Sequence, residues 1–229
     1  MGGASPSNII GENVSNGPRV MDPDESVNVI LQVEEHGYSD LIAKMLMLLQ
    51  NGFMVKVRTG LSVGQFFSVQ LNLAPEYIAH RISTVFLDGK PVDDIDAALL
   101  RDNATLALSG AMPGLAGAVM QRGSIYASFR DTISYRDDEK NGISSPREEG
   151  MIRLKLFNLV MKDLGPGFLE KGIYLDSVGF IAFLAKQKFP QSCPAALVNG
   201  TAVKPGRLIE HPRLNSGAWV RFGIETIAP

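Results

Sequence analysis

The feature that most constrains this chain is a short pattern that it contains twice. Ser62-Val63-Gly64 followed by Gln65-Phe66-Phe67 returns 115 residues on (62 to 177) as Ser177-Val178-Gly179 followed by Phe180-Ile181-Ala182. Leu87-Asp88-Gly89-Lys90-Pro91-Val92 returns 111 residues on (88 to 199) as Val198-Asn199-Gly200-Thr201-Ala202-Val203. A looser match sets Asn103-Ala104-Thr105-Leu106-Ala107-Leu108 against Asn215-Ser216-Gly217-Ala218-Trp219-Val220-Arg221-Phe222. Matches in the same order at nearly one offset argue for two copies of one structural unit.

Each match has a mechanical meaning. Asp88-Gly89 and Asn199-Gly200 accept the positive φ of a two-residue hairpin, and β-favouring residues flank both. Ser62 and Ser177 stand before runs with apolar residues three and four apart, so a serine oxygen can cap the first helical turn. A short alternating run precedes each helix, Val55–Thr59 and Lys171–Leu175, and a period-2 strand opens each copy, Val27–Val33 and Ile152–Phe157. The expected order is strand, strand, helix, strand, closing strand.

Two breaks frame the copies. Residues 1–25, rich in Gly, Ser, Asn and Pro and without a secretory pattern, read as a mobile arm. Asp131 to Gly150 combines charge with Asn-Gly and Ser-Pro and reads as a linker. The expected organisation is therefore an arm at 1–25, a first domain at 26–112, a connector at 113–150 and a second domain at 151–229.

This order, with Asn-Gly-x-x-Val after the helix and a final strand led by Asn215-Ser216-Gly217, resembles the β-grasp fold of the ubiquitin-like superfamily. The second copy is similar to the small sulfur carriers of molybdopterin and thiamine synthesis: compare Leu154-Lys155-Leu156-Phe157-Asn158-Leu159-Val160 with Asp163-Leu164-Gly165, the Ser177-Val178 helix and Val198-Asn199-Gly200. The resemblance implies an α+β protein of tandem ubiquitin-like β-grasp domains. Such carriers end in Gly-Gly so that a bare carboxylate can be adenylated and accept sulfur, whereas this sequence ends Ile227-Ala228-Pro229. The first copy runs into Met112-Pro113-Gly114-Leu115-Ala116-Gly117-Ala118, an internal glycine run read as a flexible exit. The expected function is a non-enzymatic, ubiquitin-like protein-interaction module. The alternative is a sulfur-carrier-like component of a cofactor-synthesis or metalloenzyme system, degenerate or activated by proteolysis after Gly114 or Gly117.

Composition excludes several classes. Lys and Arg number 22 against 24 Asp and Glu, a net charge of −2, so no basic field exists for nucleic acid or anionic lipid. The segment Gln121–Arg130 interleaves Arg with aromatics as single-strand binders do, but five basic residues against six acidic ones over Val119–Gly150 argue against that reading. It is expected to pack as a strand or arm across the first domain and tie it to the second. The densest apolar stretch, Leu41–Leu49, contains Lys44 and is about half the roughly 20 residues of a membrane span. Cys193 has no disulfide or zinc companion, and it reads as a structural thiol in a reducing, cytoplasmic setting. His36, His80 and His211 lack ligand spacing, Gly110–Gly117 is no phosphate loop, and no GxSxG appears. No catalytic residue, metal or cofactor is expected.

The single Trp supplies the candidate site. In the closing strand Val220, Phe222 and Ile224 form the inward series, which turns Trp219, Arg221 and Glu225 outward. The strand Ile152–Phe157 likewise turns Arg153, Lys155 and Phe157 outward. A β-grasp sheet sets first and last strands side by side, so Trp219, Arg221, Arg153, Lys155 and Phe157 are expected to form one aromatic and cationic patch. Trp and Arg concentrate binding energy; the patch is expected to meet a protein partner, a second copy, or another part of this chain.

Overall fold

A computed structural model describes residues 21, 23–130, 132–136 and 149–228. The expected arm at 1–25 lies outside them, except for Met21 and a single 3-10 turn at Pro23–Glu25. The connector is described to residue 136 and again from 149.

The chain is α+β. In order it forms β1 (Val27–Glu34), α1 (Tyr38–Met45), α2 (Met47–Asn51), β2 (Phe53–Arg58), α3 (Val63–Gln65), α4 (Pro75–His80), β3 (Thr84–Leu87), β4 (Lys90–Pro91), β5 (Thr105–Ser109) and α5 (Gly114–Met120). There follow β6 (Glu149–Phe157), α6 (Asn158–Lys171), β7 (Ile173–Asp176), α7 (Ser177–Leu184), β8 (Ala195–Val198), β9 (Thr201–Val203) and β10 (Trp219–Ile227). All ten strands belong to one sheet, in the order β4-β3-β5-β6-β2-β7-β10-β1-β8-β9.

The hairpin readings and the Ser62 cap hold; the Ser177 cap does not. Asp88 and Gly89 have φ of 50° and 78°, and Asn199 and Gly200 have 48° and 82°, the two positive values of a tight hairpin loop. Ser62 closes a capping box with Gln65: its hydroxyl accepts from the Gln65 N–H at 3.1 Å, and the Gln65 side chain accepts from the Ser62 N–H at 3.0 Å. In the second copy the cap lies one residue earlier than expected. Asp176 accepts from the Gly179 N–H at 2.6 Å, and Ser177 is the first helical residue. Both are good capping residues, and Asp176 closes the shorter bond.

The strand partners differ from expectation. Outward from β2 the order is β6, β5, β3, β4, and outward from β7 it is β10, β1, β8, β9, with the same sequence of antiparallel, parallel, antiparallel and antiparallel pairings. Thus β6 sits in the first half and β1 in the second. The sheet does not divide at 26–112 and 151–229: one half takes 53–109 plus β6, the other β1 plus 173–227. The exchange is visible at the hairpins. Asp88 exchanges bonds with Thr105, N–H to carbonyl at 2.8 Å and carboxylate from N–H at 2.7 Å. Asn199 makes the same two bonds, at 2.8 Å each, with Asn28 of β1 and not with β10.

Two helical crossovers carry the exchanged strands across. One is α1 with α2, the Leu41–Leu49 stretch, whose Leu41, Ile42, Met45, Leu48 and Leu49 are buried. The other is α6, fourteen residues long. Val29, Leu31, Val33, Leu154, Leu156, Val220 and Phe222 form one buried sheet face. On it α6 packs Phe168 edge-on to Phe53 (5.3 Å between centroids) and α7 packs Phe180 on Phe222 (4.9 Å). No helix among the described residues is long and apolar enough to cross a membrane.

Candidate functional site

The two halves meet at a weak seam. Met54 of β2 and Tyr174 of β7 form the one bridge between them. Beyond that bridge the next residues of β7's side, Gly172 and Lys171, already belong to the end of α6, so β2 loses its neighbour at Lys56 and Arg58. Gln70 fills the place of a strand: its amide donates to the Lys56 carbonyl at 2.6 Å, and its oxygen accepts from the Arg58 N–H at 3.3 Å. Gln70 reaches there because the chain after α3 widens into a single π-helical turn, Phe66–Gln70, with Leu71 N–H bonded to the Phe66 carbonyl at 2.9 Å. That turn also buries both Phe66 and Phe67 completely.

Where the strands part, a cleft of about 470 Å³ opens. Its apolar wall is Val55, Phe66, Leu71, Leu73, Leu164 and Phe168; its polar mouth is Lys56, Gln70, Lys171, Tyr174 and Arg221, with Asp163 at one end. Asp163 is already neutralised by Arg81 at 2.9 Å and accepts from the Tyr77 hydroxyl at 3.1 Å. Burial, reinforced by the Asp163 charge, raises the Tyr77 phenol well above its ordinary range. Arg221 donates to the Lys171 carbonyl at 2.7 Å and to the Asn28 side chain at 3.2 Å, which fixes its guanidinium at the mouth. Gly167 faces open space, with nothing within 4 Å of where a Cβ would stand.

The expected five-residue patch gives way to two. Arg153 pairs with Met54, Met54 with Tyr174, and Tyr174 with Arg221, so the five residues share one sheet face, half-buried, as alternation required. However, β2 and β7 stand between Arg153, Lys155 and Phe157 on one side and Trp219 and Arg221 on the other, a separation of about 14 Å at the usual strand spacing. Exchange of β1 and β6 is the cause. Of the five, Arg221 alone lines the cleft. Lys56, exposed on β2, lines it too, but nothing in the sequence links β2 to β7, because no hairpin joins them.

The connector arm is the second candidate. Residues 113–130 form α5 and a 3-10 turn (Ala127–Arg130) rather than a strand, and they are anchored to the first half through Arg122 donating to the carbonyls of Ile78 and Ser83 at 2.8 Å. The glycine run is helical; a Cβ on Gly117 would strike the Met112 carbonyl at 2.0 Å. Arg130, 2% exposed, uses all five guanidinium N–H groups: two on Asp93 (2.6 and 2.9 Å), one on Ser134 (2.9 Å), and two on the carbonyls of Val119 (2.7 Å) and Gln121 (3.3 Å). Thus anchored, the arm turns Leu115, Ile125, Tyr126, Phe129 and Ile133 outward, five of the ten exposed large apolar side chains among the described residues. Tyr126 and Phe129 stack at 6.2 Å.

Cys193 is buried, and burial pushes its thiol up to about 11, the setting of an unreactive sulfur. Among the described residues no three His, Cys, Asp or Glu side chains gather to hold a metal. No family model, curated protein or solved structure matches the chain.

Proposed function

We propose that the chain is a non-enzymatic protein-interaction module built from two ubiquitin-like β-grasp units that share one sheet, and that it docks a partner protein through the ridge of the connector arm. The observation that carries this reading is the contrast within the arm: a buried, fully bonded Arg130 holds it rigid, while Ile125 and Phe129 stand 85% and 77% exposed. Apolar side chains scattered singly over a surface are ordinary, but a cluster on a rigid mount fits an interaction site. A projecting stacked pair suits a partner that offers an apolar groove, in the manner of interface anchors. The sulfur-carrier alternative has no specific observation in its favour, since Gly114 to Ala118 of the glycine run lie within α5.

The test is a photo-reactive side chain at position 129 in the source cells. A discrete adduct with one other protein is expected; that protein, purified, should bind the intact chain, and Ile125→Ser with Phe129→Ser should weaken the complex at least tenfold with the melting temperature unchanged. Adducts confined to the chain itself or to a second copy, or equal affinity for the double variant, would overturn the proposal.

A further inference from the structure

We propose that the seam cleft binds a small organic anion, a carboxylate or phosphate head carried on an apolar body. This inference is independent of the arm. Three observations carry it. First, Lys56, Lys171 and Arg221 all line the cleft, and none has an acidic partner among the described residues. Unlike them, Asp163 has its charge met by Arg81, so the balance at the mouth is cationic. Second, Arg221 is held in place by neutral acceptors, Asn28 and the Lys171 carbonyl, which leaves its positive charge uncompensated and three of its five donors unused. A guanidinium so placed offers parallel N–H groups to a carboxylate or phosphate.

Third, much of the remaining lining is apolar, Phe66 and Phe168 included, and the volume of about 470 Å³ falls within the range of small-molecule sites. Inorganic anions would leave that lining wet; a neutral hydrocarbon would leave three cations unmatched. A molecule with a charged head and an apolar body satisfies both ends. Nothing in the lining resembles a nucleophile with a base, so the site binds rather than transforms its ligand.

Trp219, the only Trp in the sequence, stands two residues from Arg221 on the same face of β10 and reports on the mouth. The experiment titrates the full chain with octanoate, octyl phosphate, 1-octanol and inorganic phosphate while following Trp219 emission, with calorimetry as a second readout. Saturable binding of octanoate, octyl phosphate or both is expected, and their order tells which head is preferred. Octanol and inorganic phosphate should each bind at least tenfold more weakly. Lys56→Gln, at an exposed position, should weaken the anions about tenfold and leave octanol unchanged, and Lys171→Gln should do the same. Gly167→Leu, which grows into open space, should abolish binding of every alkyl compound without lowering the melting temperature. The proposal fails if no alkyl anion saturates, if octanol binds as tightly as the anions, or if neither lysine variant changes affinity. It also fails if Gly167→Leu folds and binds normally, since the ligand would then lie elsewhere.

Discussion

The two halves of the sheet use one turn to opposite ends. In the first, the aspartate of the Asp88-Gly89 hairpin reaches Thr105, seventeen residues on, and the closing strand β5 lies where its own hairpin directs it. In the second, Asn199 of the matching hairpin reaches Asn28, 171 residues back, and β10 is displaced one place inward. Identical local chemistry is thus met by a near strand in one half and by the far end of the chain in the other. A hairpin specifies what kind of backbone edge it needs, and it does not specify which strand supplies it.

This comparison can be broken most severely by cutting the chain. A fragment covering 149–229 would be a complete unit if the copies folded in sequence, but in the exchanged sheet it lacks β1, which lies between β10 and β8. It should be largely unfolded by circular dichroism and hydrogen exchange, and a cooperative melt of the isolated fragment would refute the exchange. A smaller effect separates the halves by their attachments, since Arg122 and Arg130 anchor the arm to the first. Arg130→Ala should destabilise the protein by about 3 kcal/mol, at the low end for a broken buried pair because Asp93 keeps some contact with water. The loss should appear as faster exchange around β3 and β4 before β8 and β9.

The hairpins themselves should respond alike despite their different partners. Gly89→Ala and Gly200→Ala each force a Cβ into positive φ where space is open, and each should cost about 1 kcal/mol by chemical denaturation. Unequal costs would mean that the two turns are not equivalent after all. The smallest effect concerns the crossovers. Tyr38 of α1 donates to Glu170 of α6, and burial together with that carboxylate pushes the phenol up to about 12. Its ordinary value is near 10, so the stability it lends is complete below pH 10 and is lost as pH rises from 10 through 12. Tyr38→Phe should flatten that part of the melting-temperature profile, and an unchanged alkaline slope would show that the two crossovers are not coupled there.

What could be read from the sequence was what short range decides. The hairpin dipeptides, the Ser62 cap and the inward series of β1, β6 and β10 are set by residues within a few positions of each other, and the structure places them as alternation and turn chemistry required. Period 2 tells which face a residue occupies but not which strand stands beside it. Arg153 and Arg221 were therefore given the right face and the wrong neighbours. The crossovers were missed for a related reason: Leu41–Leu49 and the Gly165-Pro166-Gly167 stretch of α6 lie outside the repeat, and only the packed sheet shows that they bridge its halves. Charge balance argues against a nucleic-acid face for Arg122 and Arg130, and burial against Asp93 shows what Arg130 does instead.

The placement of β1 also sets a schedule. Among the described strands it is the first to leave the ribosome, yet the strands that flank it, β8 and β10, are made more than 150 residues later. At ordinary rates of translation that is a wait on the order of ten seconds, with Val29, Leu31 and Val33 waiting unhoused. Such a strand invites early pairing with whatever edge is near, including that of a neighbouring nascent chain. A folding helper in the cell would find its handle in β1.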